Sequence, residues 1–190
     1  LRFQDFVADV STRLITAPDD AAGQALTECL RDTCLYFNAD RATLNWYNEA
    51  GTAADLLYFW NEFGRAPYSR LSLENFPWSA PRILVGELVS YGIDEELPEI
   101  ANRDKATLIG LGIKSVALVP LVVAGKVHGT CTFSNIATSK SWTDAEMSDL
   151  KVLAELFGNV VIRLRSHEAL KKAMLDLERA TERLEAENVY

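Results

Sequence analysis

The chain has 190 residues, 48% of them hydrophobic, and a formal net charge of −8. That is enough apolar material for one domain with a real core plus an extension, and an acidic body repels phosphate backbones, so direct nucleic-acid binding is not expected. No apolar run reaches the roughly 20 residues that span a bilayer, so membrane contact by this chain is not expected either.

Phe3, Phe6, Val7, Val10, Leu14 and Ile15 recur at helical spacing and predict an amphipathic first helix. Pro18-Asp19-Asp20 reads as the start of a second, with acids where the helix dipole favours them. Its apolar face is Ala22, Ala25, Leu26, Cys29, Leu30, Leu35 and Phe37. Arg41 to Tyr47 and Leu56 to Phe63 predict two antiparallel strands around the turn residues Asn48 to Gly51. Gly64 to Ser79 lacks periodicity, holds Pro67 and Pro77, and reads as a long loop, often a functional element.

Ser79-Ala80-Pro81 starts a short helix with Ile83 and Leu84, Leu88 to Tyr91 is a brief strand, and Leu97-Pro98 opens a helix through Ile100, Ala101, Leu108 and Ile109. Two strong strands follow, Ser115 to Val123 and Lys126 to Ser134, around the tight hairpin signal Ala124-Gly125. The first of them runs on as the longest apolar stretch, Val116 to Ala124, which Pro120 and Gly125 mark as a strand entering a turn. Thr143 with Glu146 three residues on is a capping box that opens a last helix, with Gly158 its one breaker.

This order predicts an α+β fold: a single antiparallel sheet with the terminal helices on one face and loops and short helices over the other, where a pocket belongs. The chain starts at Leu1 and stops at Tyr190 with a helical pattern still running, so we expect a fragment of a longer protein.

Gly112-Ile113-Lys114-Ser115, Val119-Pro120-Leu121, Gly125-Lys126-Val127-His128-Gly129 and Phe133 resemble the central hairpin of a GAF domain. Trp142-Thr143-Asp144 with Leu150, Leu153, Ala154 and Phe157 is similar to that family's closing helix. Phe76-Pro77-Trp78, Gly86-Glu87, Leu97-Pro98 and Glu187-Asn188-Val189-Tyr190 resemble a subgroup found in bacterial sensors. Those sensors end in an ATP-dependent sigma-54 transcription activator or in a histidine kinase. The resemblance implies a cytoplasmic sensory domain over 1–162 and a signalling helix over 163–190 leading to a covalently linked effector absent from this chain. The Glu-Asn-Val-Tyr ending is similar to the junction before the sigma-54 activator's ATPase module and ranks that host first.

Leu170, Met174, Leu177, Thr181, Leu184 and Asn188 alternate steps of four and three, the seam of a parallel coiled coil, so a homodimer is expected. Polar Thr181 and Asn188 weaken such a seam while favouring a two-stranded register. Residues 163–190 carry six Lys/Arg and six Asp/Glu, leaving all the net charge on the body.

The candidate ligand wall is Phe76 and Trp78 in the loop expected over the open sheet face, with Arg82 four residues on offering a charge to an anion. Both aromatics suit an ordinary core lid better than a ligand wall, with Arg82 then solvated. Trp46, Tyr58 and Trp60 on the first hairpin are further candidates; Trp46 alternates with Leu44 and Trp60 with Tyr58. One such set must face the helices, and the pattern leaves open which.

A small-molecule ligand of unknown identity is expected, and no cofactor is identified. No metal site is expected: His128 and Cys131, three apart on a strand, point to opposite faces, and His167 stands among charges on the last helix. The N-K-x-F-x3-D-E pattern of cyclic-nucleotide GAF domains is absent, and Cys131 within a strand does not resemble a bilin attachment site. Cys29 and Cys34 lie about 140° apart on a helix, and the three cysteines suggest reduced, buried thiols. The chain is expected not to be an enzyme. The rivals are a free methionine sulfoxide reductase using these cysteines and a ligand-free dimerisation module.

Overall fold

A computed structural model describes residues 2–187, apart from the side chain of Glu187. Two helices come first, α1 (Phe3–Thr16) and α2 (Asp19–Phe37), followed by strands β1 (Arg41–Tyr47), β2 (Ala53–Asn61) and β3 (Arg70–Ser72). Then come α3 (Ser79–Leu84), β4 (Val89–Gly92), α4 (Asn102–Gly110), β5 (Ser115–Val123), β6 (Lys126–Asn135) and α5 (Asp144–Glu187). Single 3₁₀ turns precede α3 at Leu73–Asn75 and α4 at Glu99–Ala101.

The strands form one antiparallel sheet in the order β3-β2-β1-β6-β5-β4, which puts β1 and β6 at its centre. α1, α2 and α5 cover one face and enclose the larger core with Leu44, Cys131 and Phe133 from the sheet and Leu150, Leu153 and Phe157 from α5. A smaller core under α3 and α4, including Ile83, Tyr91, Leu108 and Val116, lies on the other face.

Local chemistry explains the boundaries. Asn38 ends α2 in the left-handed conformation (φ 55°), a role Asn tolerates. Between β1 and β2 the Asn48 carboxamide oxygen accepts the N–H groups of Thr52 and Ala53, and Gly51 takes φ 65°. β2 therefore starts at Ala53 and ends at Asn61, earlier than the apolar run suggests, and Phe63 falls beyond it, exposed. The β5–β6 turn places Ala124 (φ 50°) and Gly125 (φ 75°) both in the left-handed region, the signature of a type I′ hairpin. The capping box forms: Thr143 Oγ1 accepts the Glu146 N–H at 3.2 Å, and the Glu146 carboxylate accepts the Thr143 N–H at 2.9 Å.

Gly129 and Gly158 lie at close approaches. A Cβ on Gly129 would stand 1.9 Å from the Asn45 carbonyl oxygen, and one on Gly158 would press on Val123 at 3.1 Å. Gly158 does not break α5; it seats that helix on β5.

Several side chains depart from the sequence reading. Ile15 and Leu35 are exposed at 70% and 64%, because the neighbouring helix and the sheet take other positions of their turns. Ile100 and Ile109 also face outward, whereas Ala101, Asp104 and Leu108, spaced three and four apart, form the buried stripe. Cys29 and Cys34 are both fully buried despite their angular separation, because α2 is covered by the sheet on one side and by other helices on the next. The long loop contains β3, which pairs with β2 through Ala53–Ser72, Ala54–Leu71 and Asp55–Arg70.

Candidate functional site

The two central strands carry different chemistry on their two faces. Toward the helices β1 and β6 present Ala42, Leu44, Cys131 and Phe133. On the opposite side they present Arg41, Thr43, Asn45 and Tyr47 from β1 and Thr130, Thr132 and Ser134 from β6. These polar side chains are buried or nearly so. They form the floor of a cavity of about 60 Å³, room for about two waters at the roughly 30 Å³ each takes in the liquid. Its roof and walls are apolar, with Phe76, Ile83, Leu108, Ile113, Val116 and Leu118 among them.

The roof is held by a buried carboxylate. Asp104 on α4 accepts the backbone N–H groups of Trp78 (3.1 Å) and Ser79 (2.9 Å) and the Ser79 hydroxyl (2.6 Å), satisfying the first amides of α3. The Thr107 hydroxyl donates to Asn75 O at 3.0 Å, and Arg103 Nη2 donates to Asn75 Oδ1 at 3.2 Å, tying α4 to the 3₁₀ turn before α3. The lid is therefore one hydrogen-bonded unit.

On the floor, the Tyr68 hydroxyl lies 3.0 Å from Asn45 Oδ1 and 3.2 Å from Thr43 Oγ1, while Asn45 Nδ2 donates to Thr43 Oγ1 at 3.2 Å. Burial pushes the Tyr68 phenol upward against those hydrogen bonds, and burial alone pushes up that of Tyr47, so both rings present neutral hydroxyls at physiological pH.

Of the six candidate ligand residues, the structure places Phe76 on the cavity wall. Trp78 lies in the small core behind it, edge-on to Tyr91 with ring centroids 5.3 Å apart. Arg82 points away from the cavity, over the Trp78 ring at 4.9 Å and paired with Glu87 at 2.9 Å. Trp46, Tyr58 and Trp60 all pack on the helix side. For Tyr58 and Trp60 a bulge opposite Leu44/Asn45 sets the face; Tyr58 and Trp60 line a separate open depression beside Thr27 of α2.

Trp46 stacks on His128 with centroids 5.0 Å apart and receives the Arg165 guanidinium of α5 at 5.2 Å from its ring. Strict alternation puts His128 on the face opposite Cys131, but the bulge opposite Leu121/Val122 brings it onto Trp46 on the helix side. Burial and the neighbouring Lys126 hold the His128 pKa below its ordinary value.

The polar floor was missed in the sequence although its signal was there. Arg-Ala-Thr-Leu-Asn-Trp-Tyr alternates polar and apolar in a strand that the topology buries on both faces, and a polar row in such a strand needs a reason.

A family model described as "GAF domain" matches residues 22–161, from α2 through the packed part of α5. The chain belongs to the GAF domain family. A stretch of 121 residues is 28% identical to the methanogenesis regulatory histidine kinase FilI of Methanothrix harundinacea, covering 61% of this chain and 13% of that protein. Among solved structures, the phycoerythrobilin-bound GAF domain of a cyanobacterial phytochrome superposes with a TM-score of 0.70 at 9% identity, covering 88% of this chain and 98% of that one. The GAF domain of an Acinetobacter phosphoenolpyruvate-protein phosphotransferase gives 0.67 at 14% identity, covering 88% and 97%. At such identities these neighbours share the fold. Unlike its floor residues, none of this GAF domain's three cysteines lines the cavity; all are buried in the helix-side core.

Proposed function

We propose that this GAF domain senses a small molecule in the lidded cavity and passes its occupancy along α5 to an effector joined to the chain. The observation that carries the reading is the lidded, partly open cavity with a polar floor and an apolar roof, an arrangement that orients a ligand by a few polar groups and retains it by burial. Comparing native with denatured mass spectra of the purified chain tests it. A mass present only under native conditions, and lost when Ala80→Trp fills the roof, is the expected result; a bare chain in both variants would sink it.

The effector class favoured is a histidine kinase, because the regulatory relative is one. The sigma-54 activator reading rests on the last residues, of which Asn188 to Tyr190 lie outside the described residues. In either host α5 is proposed as a parallel dimer seam. Leu170, Met174, Leu177 and Leu184 are each more than half exposed, and Thr181, whose hydroxyl donates to Leu177 O at 3.0 Å, continues their row. Asn188, the sixth seam residue, lies outside the described residues. The neutral charge of 163–190 lets two copies pair where the acidic body would repel. Sedimentation of the chain before and after Leu177→Glu should show a dimer giving way to a monomer.

Absence of enzymatic activity is likewise part of the proposal. Burial pushes the Cys29 thiol up to about 11 and raises those of Cys34 and Cys131 as well, the reverse of what a thiolate reductase needs. No described helix is long and apolar enough to cross a membrane.

A further inference from the structure

Arg41 opens β1, and its side chain lines the floor of the cavity, in register with Asn61 of β2 and Ser134 of β6. It is only 8% exposed. A guanidinium carries five N–H donors and keeps its charge at any physiological pH, so a buried one is ordinarily met by a carboxylate or by several carbonyls. Here Nη2 alone meets an acceptor, Leu111 O at 3.4 Å, while Nε and Nη1 are buried without a partner among the described residues.

The nearby acids do not answer it. Asp40 commits Oδ2 to the N–H groups of Ile136 (2.6 Å) and Ala137 (3.0 Å). The carboxylate of Asp104 is held by Trp78 and Ser79. That same bond removes a competing anion site, since the first amides of α3 are already taken. Burial draws the Arg41 pKa below the usual guanidinium value, with Tyr68 and Asp40 acting the other way, as befits a cation short of a partner.

One cation suits one negative charge. A phosphate dianion would leave one negative charge unmatched, whereas a carboxylate can accept from an idle guanidinium nitrogen and leave its body to the apolar wall of Ile83, Leu108, Ile113, Val116 and Leu118. At about 60 Å³ the cavity is well below the roughly 150 Å³ that holds a benzene ring, so it admits a short aliphatic body. Resting on the reading of this cavity as the ligand site, we infer that the domain takes a small organic monocarboxylic acid with a short aliphatic body, its carboxylate seated on Arg41.

The test is calorimetric titration of the 190-residue chain with acetate, propionate and isobutyrate beside their uncharged amides, isobutylamine and inorganic phosphate. At least one acid should bind ten or more times tighter than its own amide, and Arg41→Met should abolish that preference. Should the variant fail to fold, the Arg41 guanidinium N–H resonances in the unaltered protein decide, because acid binding must move at least one of them. Amides binding as tightly as acids, with those resonances unmoved, would overturn the inference while leaving the cavity a ligand site. Binding of no probe, together with no native-only mass, would overturn both.

Discussion

The two faces of the β1–β6 pair are made by alternate residues of the same strands and are both removed from solvent, yet they obey different rules. On the helix side Ala42, Leu44, Cys131 and Phe133 are apolar and packed, the solution that maximises stability. On the lid side Arg41, Thr43, Asn45, Thr130, Thr132 and Ser134 are polar and adjoin a cavity. Burial of polar groups beside empty space gains the fold little, and a partnerless guanidinium costs it. One face of the sheet therefore reads as built for cohesion and the other as built for a guest.

That contrast can be broken by four substitutions or titrations, from the largest expected effect to the smallest. Phe157→Ala on α5 should cost about 3–5 kcal/mol by denaturant unfolding, since a fully buried ring leaves a cavity in the helix-side core. Asp104→Ala should cost about 1–3 kcal/mol by stranding the Trp78 and Ser79 amides. Hydrogen exchange should then accelerate in α3 and α4 and stay slow in β5 and β6; acceleration spread evenly would mean the lid is not a separate unit.

Thr132→Val should change global stability by less than about 1 kcal/mol, because a neutral hydroxyl contributes little net. A loss equal to that of Phe157→Ala would erase the distinction between the faces. The smallest effect belongs to pH. Burial pulls the Glu146 carboxyl upward, but Lys140 at 2.8 Å and the Thr143 N–H outweigh it and hold the pKa below the ordinary glutamate value. The protonated form is thus disfavoured in the folded state. The resulting stability is present above the unfolded glutamate value and fades as pH falls through the lowered one. Glu146→Gln should remove that slice of the acid dependence of unfolding: the variant is the less stable at neutral pH and converges on the parent as pH falls through the lowered value.

The fold was largely legible in the sequence because its signals are local. Thr143 with Glu146, Ala124-Gly125 and the apolar stripes of the helices each act within a few residues. β3 was not legible: three residues are too few for a period, and only its register with Ala53 to Asp55 makes it a strand. Tyr58 and Trp60 were ambiguous for a related reason, since a bulge shifts the face of every residue beyond it and leaves no mark in the composition. The candidate site was less legible still. Aromatic residues drew the eye, and of them Phe76 lines the cavity; the polar row of β1 becomes unusual only once both faces of that strand are known to be covered.

Trp46 has a consequence of its own. It lies between Asn45 and Tyr47, both on the cavity wall, while its ring is gripped by His128 and by Arg165 of the departing helix. Consecutive Cα atoms are about 3.8 Å apart, so the wall of the chamber and the handle of the exit helix are separated by one peptide bond. Movement need not be relayed through a chain of side chains. A tilt of the strand that lowered Asn45 would carry the indole on its far side with it, since one planar peptide unit joins the two residues.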